Sequence, residues 1–328
     1  MTPGWTFLRE HLQRLQGPDT LLYWPYVASA WLLTVGFSVA VAKRPLGDAV
    51  RGLFARHVWL TRSTRTDVVM TLIHEAFVAA PTLALSAYVS DRLLLALERH
   101  ALPVGAPHWA APPLLQSIVV TCLVMLAVDL GTFVAHRLHH AFPVLWEIHA
   151  VHHSAEQLTF FTAHRLHPLE SFLRSALQGV LSGMALALAD LTFGGVAPAI
   201  SIAGVGAGFF VFSFTNNLLH SHVPVRYPKW LRRWVLSPHI HHLHHSRAAA
   251  HYDRNFGAIF PYWDRLCRTY LDVEFESGEI PFGLDEVDDP FHHSIVRCYL
   301  YPIVAPLLRL RRRLPRGRRR RDTTLTPG

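Results

Sequence analysis

The stretch His136–His153, HRLHHAFPVLWEIHAVHH, carries six histidines in eighteen residues and follows directly on an apolar run. On a helix, residues i, i+3 and i+4 share a face, so His136 can present with His139 and His140, and His149 with His152 and His153. The same spacing returns at His241, His244 and His245. Neutral imidazole is a good ligand for zinc, copper, iron or nickel. A single isolated histidine is more often an ordinary surface or core residue, but three clusters with repeated H-x-x-H-H or H-x-x-x-H spacing point to metal binding.

The rest of the chain is built around an apolar frame. Its 328 residues are 51% hydrophobic and only 16% charged, too apolar for an ordinary soluble domain of this size. The 23 histidines far outnumber the three cysteines and four methionines, so a metal site must be made mainly of nitrogen. Cys122, Cys267 and Cys298 are widely separated and support neither a disulfide framework nor a cysteine zinc site, which fits a reducing compartment. The net charge of +8 owes much to the tail Arg309–Arg321, around which no nucleic-acid module is recognisable. Beside a membrane such a tail meets anionic headgroups; the alternative is a solvated end.

Residues 1–20 lack the pattern of a secretory signal. Leu21–Ala42 is 22 residues without a charge, enough to cross a ~30 Å hydrocarbon core as a helix. The basic segment Lys43–Arg65 is expected in the cytoplasm by the positive-inside tendency. Val68–Leu97 then crosses outward and Leu114–Ala135 returns. His74-Glu75 does not continue as H-E-x-x-H, because position 78 is Val. Phe172–Leu219 is long enough for two spans joined by a tight turn at Gly194-Gly195. Gly204, Gly206 and Gly208 follow no strand and are read as close helix packing. The expectation is therefore an all-α protein of about four to five spans, with a cytosolic helical cap holding a histidine-rich dimetal site. All three clusters fall on the cytoplasmic side in this topology. Three regions follow: membrane helices and basic loop over 1–113, a catalytic region over 114–284, and an interfacial segment with basic tail over 285–328, in which Tyr299–Leu308 is too short to span.

Asp129 is the one charge in the third span, two helical turns before His136. A charge there needs a partner. It is read as a carboxylate that orients a ligating imidazole, against the alternative of a packed polar residue at a helix contact.

These residues resemble the fatty acid hydroxylase/sterol desaturase superfamily of integral-membrane di-iron oxygenases, over roughly residues 125–270. The likeness is in order and spacing. His136 and His140 match the first box after a span; His149, His152 and His153 match the second; His220 matches a lone histidine leaving the next hairpin; His241, His244 and His245 match the closing box. Leu145-Trp146, Asn255-Phe256-Gly257 and Trp263-Asp264-Arg265-Leu266 match the flanks, while Cys267-Arg268 replaces the Phe-Gly of the family. The resemblance implies that these nine histidines hold two Fe ions, with Zn as a possible substitute. It also implies O2 as co-substrate, a lipid substrate, and electrons from an external donor resembling cytochrome b5, a ferredoxin or a reductase. In related acyl desaturases an Asn four residues before the lone His reaches one iron through water, and Asn216 has that spacing. In some hydroxylases a His stands there, so nine or ten direct ligands both remain open. His139, His164, His167, His222, His239, His242 and His251 are unassigned.

No haem, flavin or nicotinamide motif is present. The competing readings are a zinc-dependent membrane hydrolase on the same boxes and a non-catalytic metal-binding or transport protein. A conduit would want ionisable groups along several spans, whereas here the histidines gather at span ends.

Overall fold

A computed structural model describes residues 23–100, 108–202, 205–275, 280–284, 291 and 293–313. Apart from one two-residue antiparallel pair, Ser201–Ile202 with Val205–Gly206, the described chain is helical, as expected.

The longest helix, Pro113–Ala141, begins with proline at its first position, where the missing N–H is no loss. It stops because Pro143 forces Phe142 out of helical geometry, at φ −110° and ψ 120°. The chain restarts at once as Pro143–His153. A second long helix, Pro168–Phe193, starts at a proline, is capped at its N-terminus by His167 Nδ1 accepting from Leu169 N at 3.2 Å, and ends at Gly194 with φ +72°. Helix Pro168–Phe193 packs along both Pro113–Ala141 and Ala79–His100. The approach to Ala79–His100 is close because Gly179 and Gly183 face Ser86 and Ser90. A Cβ on Gly183 would lie 2.8 Å from the Ser90 carbonyl oxygen. This is the small-x-x-x-small packing of membrane helices.

Pro113–Ala141 and Pro168–Phe193 are long and apolar enough to cross a membrane, and Arg62–Phe77 with Ala79–His100 makes a third candidate if that pair, bent by 50°, is one span. The four to five expected spans are therefore not all matched by full-length helices. The first expected span corresponds to Trp24–Ala40, 17 residues, with Leu21 and Leu22 outside the described residues. The expected hairpin over Phe172–Leu219 is also different. Gly194 ends the first arm, but the connection runs through the short antiparallel pair, and the second arm, Ala207–Leu219, has only 13 residues. Gly206 stands in open space and Gly208 makes ordinary contact with Met125, so these glycines do not mark a tight helix contact. Gly204, the loop 101–107 and the tail 314–328 lie outside the described residues.

The C-terminal apolar segment lies within a longer helix, Ile295–Arg313, whose apolar part, Ile295–Pro306, remains too short to span. Cys298 on it joins Met70, Ala150, Val151 and Phe291 in a buried cluster against Pro143–His153 and Arg62–Phe77. Leu300, Ile303 and Val304 stay exposed. A buried ion pair, Arg165 Nη1 to Asp67 Oδ1 at 2.8 Å, fastens the 3-10 turn Phe160–His164 to Arg62–Phe77.

Candidate metal centre

Four chain segments bring the histidine boxes together. His136 and His140 sit one turn apart at the end of Pro113–Ala141. His149, His152 and His153 occupy the last turn and a half of Pro143–His153. His220 ends Ala207–Leu219, and His241, His244 and His245 come from the short helix Pro238–His244 and its C-terminal cap. The nine fall into two groups, His136, His140, His149, His153 and His244 in one, and His152, His220, His241 and His245 in the other, with one ring nitrogen per residue lying within 4.8 Å of the rest of its group. The adjacent pairs His152-His153 and His244-His245 each split between the groups. Neighbours on a helix point about 100° apart, so a dipeptide can serve two centres while residues four apart serve one.

The ring nitrogens are what metal ligands require. In the first group Nε2 of His136, His140, His149, His153 and His244 is buried without a hydrogen-bond partner. The opposite nitrogen is tied on four of them: His136 Nδ1 donates to the Phe256 carbonyl at 2.9 Å, His149 Nδ1 to Glu170 Oε1 at 2.9 Å, His244 Nδ1 to the Arg254 carbonyl at 2.7 Å, and His140 Nδ1 pairs with Asp253 Oδ1 at 3.4 Å. Such bonds put the proton on Nδ1 and leave the Nε2 lone pair free. In the second group His220 Nδ1 donates to the Asn216 carbonyl at 2.9 Å. Its Nε2 lies 3.0 Å from His241 Nε2 and 3.4 Å from His152 Nε2, and His241 and His245 approach to 3.1 Å. Nitrogens about 2.1 Å from a common ion are separated by about 3.0 Å at a right angle and about 3.4 Å at the tetrahedral angle. The observed separations in the second group match these edges, and the first group offers five buried Nε2 atoms without a hydrogen-bond partner, so each group could hold a metal ion.

Electrostatics agree. Burial, followed by repulsion from neighbouring imidazoles, holds His149, His152, His153, His241 and His245 well below the ordinary histidine pKa, and His244 is lowered to about 3. These rings are neutral at pH 7, the form that ligates.

Asp129 does not orient an imidazole. Its carboxylate accepts from Ile259 N at 2.7 Å, Phe260 N at 3.3 Å and Trp263 Nε1 at 2.8 Å. It is the packed polar contact of the alternative reading, anchoring the segment that follows Phe256. Asp264 holds the same segment from the other side, accepting from Phe256 N and Gly257 N at 2.9 and 2.8 Å. Asn255, at φ +59°, donates to the Ile240 and Leu271 carbonyls. Gly257 admits no Cβ, since one would lie 2.7 Å from Leu236 Cδ1 and 2.8 Å from the Phe260 carbonyl oxygen. The Asn-Phe-Gly and Trp-Asp-Arg runs thus build the strut that presents the Phe256 carbonyl to His136. The Cys267-Arg268 substitution leaves these bonds in place, with Arg268 at φ +60°.

Glu170, which the sequence did not single out, carries the orienting role on His149, and Asp253 reaches His140. Most of the other histidines fasten structure: His139 Nδ1 bonds the Ala135 carbonyl, His167 Nε2 that of Tyr299, His222 that of Gly52, His239 that of Val273 and His242 that of Ser221, while His251 bonds Ser246 Oγ. His164 Nε2 stands 2.9 Å from Glu75 Oε1 in an ion-pair contact outside hydrogen-bond geometry.

Three cavities adjoin the histidines. A small one of about 40 Å³ lies among His136, His152, His220 and His241 and is also lined by Asn216 and Arg174. A cavity of about 600 Å³, lined mostly by apolar residues such as Leu83, Val124, Met125, Phe209 and Phe212, shares Arg174 with it. A third of about 640 Å³ opens beside His140, His153, His244 and His245, past Trp146 and Asp253.

Residues 121–269 match the fatty acid hydroxylase family. The chain is similar to the ornithine lipid hydroxylase OlsE of Rhizobium tropici, 30% identical over 142 residues, 43% of this chain and 39% of that protein. It is also similar to the alkylglycerol monooxygenases of Danio rerio, 25% identical over 181 residues (55% of this chain, 36% of the relative), and Homo sapiens, 23% over 186 residues (51% and 35%). The matches span well under half the length of these relatives. No solved structure matches. The matched segment opens before Asp129 and closes at Thr269, enclosing both histidine groups and the strut between Asn255 and Asp264, and over this part, a little under half of its length, the chain is similar to the fatty acid hydroxylase family.

Proposed function

We propose that the chain is a multi-pass membrane oxygenase that oxidises a C–H bond of a lipid at a pair of iron ions held by the nine histidines. The observation that carries this reading is the placement of two converging imidazole groups against an apolar cavity of about 600 Å³ through a shared wall residue, Arg174. The hydroxylase and monooxygenase names of the relatives support a lipid substrate and oxygen chemistry.

A bound redox metal pair supplies the activation of dioxygen, which no side chain can perform. In the overall reaction one oxygen atom enters the C–H bond, and the other leaves as water with two electrons and two protons. The electrons come from an external carrier. The chain's own residues do the rest. Glu170, Asp253 and the Phe256, Arg254 and Asn216 carbonyls hold five imidazoles in one tautomer. The apolar wall excludes water and aligns a hydrocarbon chain. Asn216 lines the small cavity, where its amide can both donate to and accept from a water without displacing a histidine.

Helix length supports a site at the membrane surface. Pro113–Ala141 has 29 residues, ~44 Å, against a ~30 Å hydrocarbon core. A crossing that starts near its N-terminus leaves His136 and His140 beyond the far boundary, which the basic Lys43–Arg65 segment assigns to the cytoplasm. The shorter apolar helices Trp24–Ala40 and Ala207–Leu219 complete four to five membrane-embedded elements.

Protein purified from iron-replete cells should contain close to two irons per chain and form an oxygen-dependent lipid product in those cells. His152→Ala and His244→Ala, one from each group, should each lower the metal content and abolish the product. Unchanged metal in both variants refutes the shared site; a product formed equally without oxygen refutes the oxygenase.

A further inference from the structure

The wall of the apolar cavity contains three groups that an alkyl chain alone would leave unsatisfied. Glu75 Oε2 and His74 Nδ1 are buried without a hydrogen-bond partner. Arg174 lines the same cavity and makes no hydrogen bond or ion pair to a described residue; Glu170, one turn earlier, attracts it only through space. Other polar groups nearby are engaged. Gln178 Nε2 donates to Thr132 Oγ1 at 2.9 Å, and Glu75 Oε1 stands in ion-pair contact with His164 Nε2 at 2.9 Å. A buried donor or acceptor left unpaired costs about 1–3 kcal/mol, and more when it is charged. A guanidinium offers five donors in a fixed fork and cannot shed its charge. Its position is equally specific, since Arg174 also lines the small cavity among His136, His152, His220 and His241.

We propose that Arg174 and Glu75 receive the polar attachment point of the lipid whose hydrocarbon tail fills the apolar cavity. That attachment must offer an acceptor to Arg174 and a donor to Glu75, as a glycerol hydroxyl beside an ether or ester oxygen does, and as an amide does. Plain hydrocarbon offers neither. The identity of the guest as a lipid rests on the oxygenase reading, and one consequence follows from combining the two. With the polar attachment held at the wall shared by both cavities, the oxidised carbon lies within a few bonds of it, not at mid-chain and not at the tail end.

The test uses the metal-loaded full chain in nanodiscs with a photoreactive 1-O-hexadecylglycerol bearing a diazirine at the end of its tail. Photolysis should label the wall around Met125 and Phe209. Unlabelled 1-O-hexadecylglycerol should suppress labelling at a concentration about tenfold lower than hexadecane, as a charge-assisted hydrogen bond warrants. Arg174→Met should erase that preference at unchanged metal content, Arg174→Lys should keep part of it, and Glu75→Gln should reduce it. Equal competition by the two compounds in the wild type, or a full preference retained in Arg174→Met, overturns the proposal. Loss of metal in Arg174→Met also overturns it, by making Arg174 part of the metal site's support. Because the measurement reads binding, a protein that binds with this preference but yields no oxygen-dependent product would refute the oxygenase reading and leave the Arg174 site standing.

Discussion

Glu170 grips His149 with one carboxylate oxygen and keeps the other buried without a partner. Removing that grip frees the ring to turn and its proton to change nitrogen, an effect usually worth tenfold to about a hundredfold in metal affinity. Glu170→Ala should therefore weaken metal retention by about that factor in a chelator competition, whereas Asp129→Asn, which touches no imidazole, should leave retention near wild type and lower thermal stability instead. Equal loss of metal in both variants would show that the two carboxylates are not distinguished by their contacts. Which histidines could gather into groups able to hold a metal was legible at this scale, because imidazole spacing is local: i, i+3 and i+4 follow from helix pitch alone. The partners of those imidazoles were not. Glu170 lies 21 residues from His149 and Phe256 lies 120 from His136, and no periodicity connects them. Asp129 misled because a shared helix face with His136 says where a side chain starts and not which segment crosses in front of it.

Among the elements, Pro168–Phe193 sets the frame, since it touches both other membrane-length candidates and delivers Glu170 and Arg174 to the site. Its contact with Ala79–His100 depends on two missing side chains. Gly183→Ala would press a Cβ to 2.8 Å from the Ser90 carbonyl oxygen, and relief requires the helices to separate. Overpacking of this kind costs about 1–3 kcal/mol, so this variant should unfold at clearly lower temperature. Gly195→Ala, where nothing lies within 4 Å, should unfold with the wild type, and a matching loss there would show that the close approach is not the cause. The helical class was readable from apolar runs and prolines. The span lengths were not, because hydropathy over Phe172–Leu219 is continuous through a connection that the backbone makes partly with extended chain.

For the whole molecule, two large cavities adjoin the histidine groups through different residues. The apolar cavity adjoins the metal centre past Arg174, and the roomier cavity lined by Trp146, Asp253 and Tyr301 reaches it from beside His140 and His153. Sequence order led to the expectation that the boxes share one side of a membrane, but it could not show that they part into a group of five and a group of four. That partition has a thermodynamic consequence. His152-His153 and His244-His245 are each joined by a single peptide bond, and each contributes one imidazole to either group. Seating an ion in one group fixes two backbone points from which the other group is also hung, so the ordering entropy of both is largely spent on the first ion. Loading is then positively cooperative, and the singly occupied chain is the scarce species at every stage of a titration. Native mass spectrometry of apoprotein titrated with Fe(II) under argon should show the empty and doubly loaded chains dominating at half saturation, while a statistical 1:2:1 distribution would mean that the two centres fill independently.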